Sequence, residues 1–256
     1  MLTLARHFTA QLAILLALTL WLPTNTHAQD LALLQVPTNS AISIPAGQGL
    51  DLIGSAEPLG KGRFRLRAQN RSSTVVIPDL GNGSLYTGYY GLGYGFSDAM
   101  DVTVVVPFLM DGAGGLNKYG SGDPVLGFKW SRPGRIRAGS HTAFQLLLGL
   151  PLGYKGEHAL DGIGGIRQFS SGGLDMGFNA LFDIHFRGAS VYLNGGFFKP
   201  GSVTVNTQLV YGLGIEVGRS NRWVSFNSEY QARVAFAQQS RAANILKFGV
   251  RVQILR

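Results

Sequence analysis

The sequence predicts an all-β chain: an antiparallel transmembrane β-barrel of ten strands, with short periplasmic turns and longer extracellular loops. Three observations predict it. Apolar and polar residues alternate with period two from residue 63 onward. The connections between the alternating runs are by turns long and short. Aromatic residues of the apolar face gather at two levels. The runs are also long. Most exceed the ~5–6 residues usual for strands of soluble proteins and come close to the ~9–11 that a tilted strand needs to cross a bilayer.

Composition narrows the field first. The chain has 256 residues, 14% of them charged, with 36 glycines, no cysteine and a net charge of +8. The absence of cysteine excludes a disulfide scaffold, a thiolate zinc site, an iron–sulfur protein and a cysteine nucleophile. It also excludes a lipoprotein anchor. The cations are spread along the chain, and the sharpest cluster is Arg63, Arg65 and Arg67. A nucleic-acid face would bring a basic stripe or a known module, so no nucleic acid is expected as a partner.

Residues 1–28 have the three parts of a secretory signal peptide. Arg6 gives the positive start, Ala10 to Leu22 the apolar run, and Thr26-His27-Ala28 the small residues of a cleavage site after Ala28. The apolar run falls short of the ~20 residues a membrane helix needs. Beyond it no stretch is long and apolar enough to span. Residues 29–61 are expected to be an N-terminal periplasmic or lumenal segment, or to add two strands and make twelve. Residues 62–256 form the expected barrel.

The ten runs are 62–69, 85–96, 100–109, 123–131, 142–153, 173–186, 190–198, 206–217, 223–235 and 244–255. In the first, Phe64, Leu66 and Ala68 oppose Arg63, Arg65, Arg67 and Gln69. The sixth puts Leu174, Met176, Phe178, Ala180, Phe182, Ile184 and Phe186 against Asp175, Gly177, Asn179, Asp183 and His185, with Leu181 the exception. In the ninth, Val224, Phe226, Tyr230 and Val234 oppose Ser225, Asn227, Glu229, Gln231 and Arg233. The last sets Leu246, Phe248, Val250, Val252 and Ile254 against Lys247, Gly249, Arg251 and Gln253. The connections 70–84, 110–122 and 154–172 are long. Those at 97–99, 132–141, 187–189 and 218–222 are short, and carry turn formers such as Ser97-Asp98, Pro133-Gly134, Arg187-Gly188 and Ser220-Asn221. That asymmetry suits an outer-membrane barrel. A soluble sandwich also alternates, but with shorter strands and no regular loop asymmetry.

Two aromatic girdles follow from the same register. Phe64, Phe96, Trp130, Phe144 and Phe186 fall near the periplasmic end, with Trp223 at a turn. Tyr86, Phe108 and Phe197 fall near the other end.

The stretch YGLGYGFSDAMDVTVVVPF (90–108), followed by GSGDPVLGFKWS (120–131), together with SAEPLGKGRFRL (55–66), resembles Gram-negative outer-membrane barrels of the transporter kind, including those tied by name to phenol degradation. The resemblance covers about 55–256 and implies passive passage or binding of small molecules. It implies as partners the outer-membrane lipid and lipopolysaccharide, the barrel-assembly machinery and a small-molecule solute, in the cell outer membrane. One departure is the end, Val252-Gln253-Ile254-Leu255-Arg256, where such barrels carry a terminal aromatic residue.

The inward face would then carry Arg63, Arg65, Arg67, Asp101, Lys129, Asp175, Asp183, His185, Glu216, Glu229, Arg233, Lys247 and Arg251. If the first strand pairs with the tenth, the three arginines sit beside Lys247 and Arg251. A basic wall flanked by acids results, which suits a narrow polar pathway with a weak preference for anions. The alternative is a closed structural or surface-interaction barrel, since ten strands lie near the limit at which side chains fill the interior.

Catalytic chemistry finds little support. A barrel lipase needs serine and histidine together on the outer surface, and His141, His158 and His185 do not offer this. Asp183 and His185 share a face as a conceivable dyad, more simply read as a polar lumen pair. Glu157, His158 and Asp161 suit a solvated loop. The glycines of 91–95 lie within a strand with no helix after them, so they are no dinucleotide fingerprint. No metal spacing is present and no cofactor is expected. Lys118, Lys155, Arg167, Lys199 and Arg241 fall in outer loops, where they suit lipopolysaccharide phosphates or simple solubility.

Overall fold

Runs such as Val102-Thr103-Val104-Val105-Val106 favour the pleated strand, because branched side chains are stiff and pack well on its two faces. The structure, a computed structural model, describes residues 53–77, 81–113, 116–133, 139–153, 169–201, 207–218, 224–235 and 242–252, all within the compact unit Leu31–Arg256. These residues form β1 (Phe64–Ile77), β2 (Gly81–Gly95), β3 (Met100–Ala113), β4 (Leu116–Ser121), β5 (Val125–Pro133), β6 (Ser140–Gly149), β7 (Asp175–His185), β8 (Ala189–Lys199), β9 (Gln208–Val217), β10 (Val224–Ala235) and β11 (Ala242–Val252). No helix occurs among them. The signal segment 1–28, residues 29–52, the loop residues Lys155, Glu157, His158, Asp161, Arg167 and Arg241, and Trp223 lie outside the described residues.

All eleven strands join one antiparallel sheet in the order β1-β2-β3-β5-β6-β7-β8-β9-β10-β11, with β4 paired to β3 alone. Each of the ten alternating runs has its strand. The eleventh comes from the loop expected over 110–122. There β3 continues to Ala113, and Leu116–Ser121 folds back on Phe108–Ala113. β5 then takes over the other half of β3, pairing Val125–Trp130 with Met100–Val105. β4 and β5 are thus one course interrupted at Gly122-Asp123-Pro124. Pro124 has no N–H to give the ladder, and Gly122 N donates instead to Pro107 O at 2.9 Å.

Of the loop expected over 70–84, residues 70–77 and 81–84 are also strand. Phe64–Ile77 pairs residue for residue with Gly81–Tyr94. Its far half, Asn70 to Thr74 above all, is polar on both faces, so it carries no period-two signal. The short connections close as expected of turns: Phe96 N donates to Met100 O at 3.1 Å, and Phe186 N to Ala189 O at 2.7 Å. The expected closure of the first strand on the last is not formed. β1 pairs only with β2 and β11 only with β10, and the sheet is open.

Burial is inverted relative to a soluble protein. Asp175, Asp183 and Glu229 are 0% exposed, while Leu66 is 83% and Phe248 73% exposed. Phe178, Phe197, Phe226 and Leu246 likewise lie on the outside. Among the described residues no second sheet and no helix covers the polar face. A single sheet buries one face this fully by curling around it, and what it curls around is polar. A smaller apolar patch, Tyr89, Val105, Val125 and Leu147, interrupts that interior.

Candidate functional site

The interior holds a stretch of the chain itself. Just before β1, Gly60 and Gly62 take φ of 89° and 75°, a left-handed turn that suits glycine. Gly62 N donates to Gly95 O at 2.7 Å, which pins the turn to the start of the sheet. Upstream of it, residues 53–59 are bound by side chains from four strands. Leu59 N donates to both carboxylate oxygens of Asp101 on β3, at 3.0 and 3.1 Å. Ala56 N and Glu57 N donate to Asp183 Oδ2 on β7, at 2.8 and 3.2 Å, and Ser55 Oγ donates to the same oxygen. Ile53 N donates to Glu229 Oε2 on β10 at 3.1 Å.

Lys129 on β5 serves the carbonyls. Its Nζ donates to Ser55 O at 3.2 Å and Glu57 O at 2.6 Å, and stands 3.0 Å from Asp101 Oδ2. Three carboxylates therefore read backbone N–H groups, and one ammonium reads backbone carbonyls. Charged partners make these the stronger kind of hydrogen bond, and burial makes each costly to leave unmade. Apolar contacts complete the fit. Ala56 packs with Ala143 and Leu181, and Ile53 lies over Gly212, where a methyl group would collide with it.

Around this grip several of the other polar side chains pair with one another. Glu216 accepts from Tyr192 Oη at 3.0 Å and Ser225 Oγ at 2.7 Å. Asn179 Nδ2 donates to Gln145 Oε1 at 3.2 Å, and Arg233 Nη2 to Gln231 Oε1 at 3.2 Å. His185 stands 3.8 Å from both Glu57 and Asp183, and its Nδ1 lies 3.0 Å from Ser190 Oγ. Serine, histidine and acid thus meet. Yet Ser190 is fully buried, the acid distances exceed hydrogen bonding, and Asp183 Oδ2 already takes three donors. This is a buried polar constellation engaged with residues 55–57.

A second acidic layer lies towards the loops after β4, β6 and β8. Asp123 accepts from Gly153 N at 2.8 Å, Ser171 N at 2.7 Å and Ser171 Oγ at 3.1 Å. Asp175 accepts from Gly201 N at 2.7 Å. Asp111 is buried nearby on β3. Asp111 escaped the sequence reading because it falls in the stretch 110–122 taken for a loop, and Asp123 because it stands at the very start of the run 123–131. The Gly-Asp-Pro break at 122–124 is the signal that marks Asp123.

The other residues expected inside divide by exposure. Arg63 is exposed, and Arg65, Arg67 and Arg233 are half-buried. Lys247 pairs in register with Glu229, and Arg251 with Ser225, while their side chains lie outside the described residues. Among the described residues the buried charges are Asp101, Asp111, Asp123, Asp175, Asp183, Glu216 and Glu229 against Lys129. That balance is opposite in sign to a basic wall.

Of the expected girdle, Phe64, Phe96, Phe108, Trp130, Phe144 and Phe197 are exposed on the apolar face. Tyr86 and Phe186 are half-buried. Trp130 stacks on Phe144 with centroids 6.5 Å apart, Phe144 on Phe178 at 5.8 Å, and Arg132 caps Trp130 at 4.8 Å. No protein-family model and no curated protein matches the chain.

Proposed function

We propose that the chain is an outer-membrane β-barrel whose polar interior passes or binds small solutes, with a preference for cations. The observation that carries this reading is the inverted burial: carboxylates inside, phenylalanine and leucine outside. Exposed apolar surface costs roughly 25 cal/mol per Å² in water, and that cost vanishes in hydrocarbon. A bilayer also requires every backbone group to be paired. The reading therefore requires that β1 meet β11 in the bilayer, a closure the open sheet described above does not make, and so remove both edges. Counting β4 and β5 as one course, the barrel has ten, the even number expected of such proteins.

The interior supports a hydrated pathway. Both amide atoms of Asn194, Ser131 Oγ and Gln208 Oε1 are buried without a protein partner among the described residues, and buried polar atoms of this kind take water. The excess of buried acid supports cation preference. The test is the reversal potential of the refolded mature chain, residues 29–256, across a planar bilayer with a salt gradient. The expected potential is cation-selective, and Asp175→Asn with Glu229→Gln reduces it. An anion-selective potential contradicts the sign of the proposal. A closed structural barrel remains the second reading, favoured by the chain that occupies the interior, and a folded barrel that never conducts would establish it.

A further inference from the structure

We infer that residues 53–59 are a removable stopper seated in a solute-binding site, and that the solute which competes for this site is cationic and rich in N–H donors. The inference rests on the proposal that the interior is a pathway.

Asp101, Asp183 and Glu229 face the same short segment from β3, β7 and β10, and each accepts backbone N–H groups from it. None of these contacts reads a side chain except that from Ser55 Oγ. A carboxylate does not distinguish a peptide N–H from an ammonium or guanidinium N–H, except that it holds the charged donor more strongly. The segment therefore stands where a polyamine or guanidinium solute would bind. Three acids along its length match a solute with several spaced cationic groups. Lys129, already committed to Asp101, leaves the balance of the site negative.

The segment is also built to let go from one end. Residues 55–59 hold the sheet through Asp101, Asp183 and Lys129, and the turn at Gly60 and Gly62 fixes their root. Ile53 is held by one hydrogen bond, to Glu229, and by its buried side chain over Gly212, with no ion pair. A Cβ built on Gly54 would stand 3.5 Å from the Asn194 amide and against Leu181. Opening proceeds from Ile53, and a solute on Glu229 and then Asp183 takes over the acceptors as the segment leaves. Such a solute shifts the population towards the open state by binding only that state.

The chain has no cysteine, so a single engineered pair forms the only disulfide. Gly54→Cys with Asn194→Cys suits it, because a Cβ on Gly54 meets ordinary contacts. The mature full-length variant is reconstituted in a planar bilayer, oxidised and then reduced, with and without spermidine as probe. The inference expects oxidation to suppress conductance steps and reduction to restore them. It expects spermidine to bind and interrupt current only in the reduced protein. Glu229→Gln, a milder change that keeps an acceptor for Ile53 N but removes its charge, is expected to raise the open fraction about tenfold, the scale of the charge assistance lost from that hydrogen bond.

Steps that persist unchanged in the oxidised protein overturn the stopper and leave the pathway standing. Lock-sensitive steps that ignore spermidine overturn the assignment of the solute. Heat-shifting, folded protein that gives no steps in any state, Glu229→Gln included, overturns the stopper and the pathway together.

Discussion

Asp183 is the side chain on which the interior turns. One oxygen receives two backbone N–H groups and the Ser55 hydroxyl, so Asp183→Ala strands three donors at once. The expected loss is about 3–5 kcal/mol of folding free energy, the scale of an uncompensated buried polar network, measured by urea unfolding in lipid vesicles. Lys129→Met should cost a similar amount, about 3–5 kcal/mol, by leaving Asp101 without its cation. The double variant Lys129→Met with Asp101→Asn should cost less than the sum of its singles, since the two charges share one interaction. A strictly additive result would mean that the pair does not act as a unit. At this scale the sequence was half legible. Alternation put Asp101, Lys129, Asp175, Asp183, Glu216 and Glu229 on one face. It could not say that their partner is backbone from residues 53–59, because backbone donors leave no mark on residue type.

The strands were legible where one face is apolar and the other polar, and silent where that contrast fails. β7 (Asp175–His185) was readable from Met176, Phe178 and Ala180 against Gly177, Asn179 and Asp183. The far half of β1 was not, because Asn70, Ser72, Ser73 and Thr74 are polar in succession. β4 was missed for a similar reason, with the break at Gly122-Asp123-Pro124 hiding that β4 and β5 flank the same strand. The outward faces make their own prediction. Phe178 lies among Phe144 and Phe197 on neighbouring strands. Phe178→Arg should cost about 2–4 kcal/mol in a bilayer if it sits near the midplane, less towards an interface. An unchanged unfolding midpoint would place that face in water.

Over the whole molecule, the inverted burial organises everything else. On the proposed reading, a sheet with acid inside and aromatic residues outside is stabilised by surroundings less polar than its core. The sequence carried that inversion in its alternation, yet it did not say which face turns inward. Length, loop asymmetry and the girdle settled that expectation, and the burial of Asp175, Asp183 and Glu229 against the exposure of Phe248 agrees with it. The sequence put Arg63, Arg65 and Arg67 on the same polar face, where they stay at least partly exposed on β1, while the buried charges among the described residues are acids with Lys129.

The most direct test of the outward face uses a native probe. The chain has three tryptophans, Trp21, Trp130 and Trp223. The mature chain 29–256 carrying Trp223→Phe keeps Trp130 alone. Trp130 lies on the exposed apolar face beside Phe144. In bilayers of lipids brominated near the glycerol, the account predicts strong quenching of Trp130 fluorescence and little quenching by aqueous iodide. Quenching by iodide with no response to the brominated lipid would put this face in water and contradict the membrane barrel.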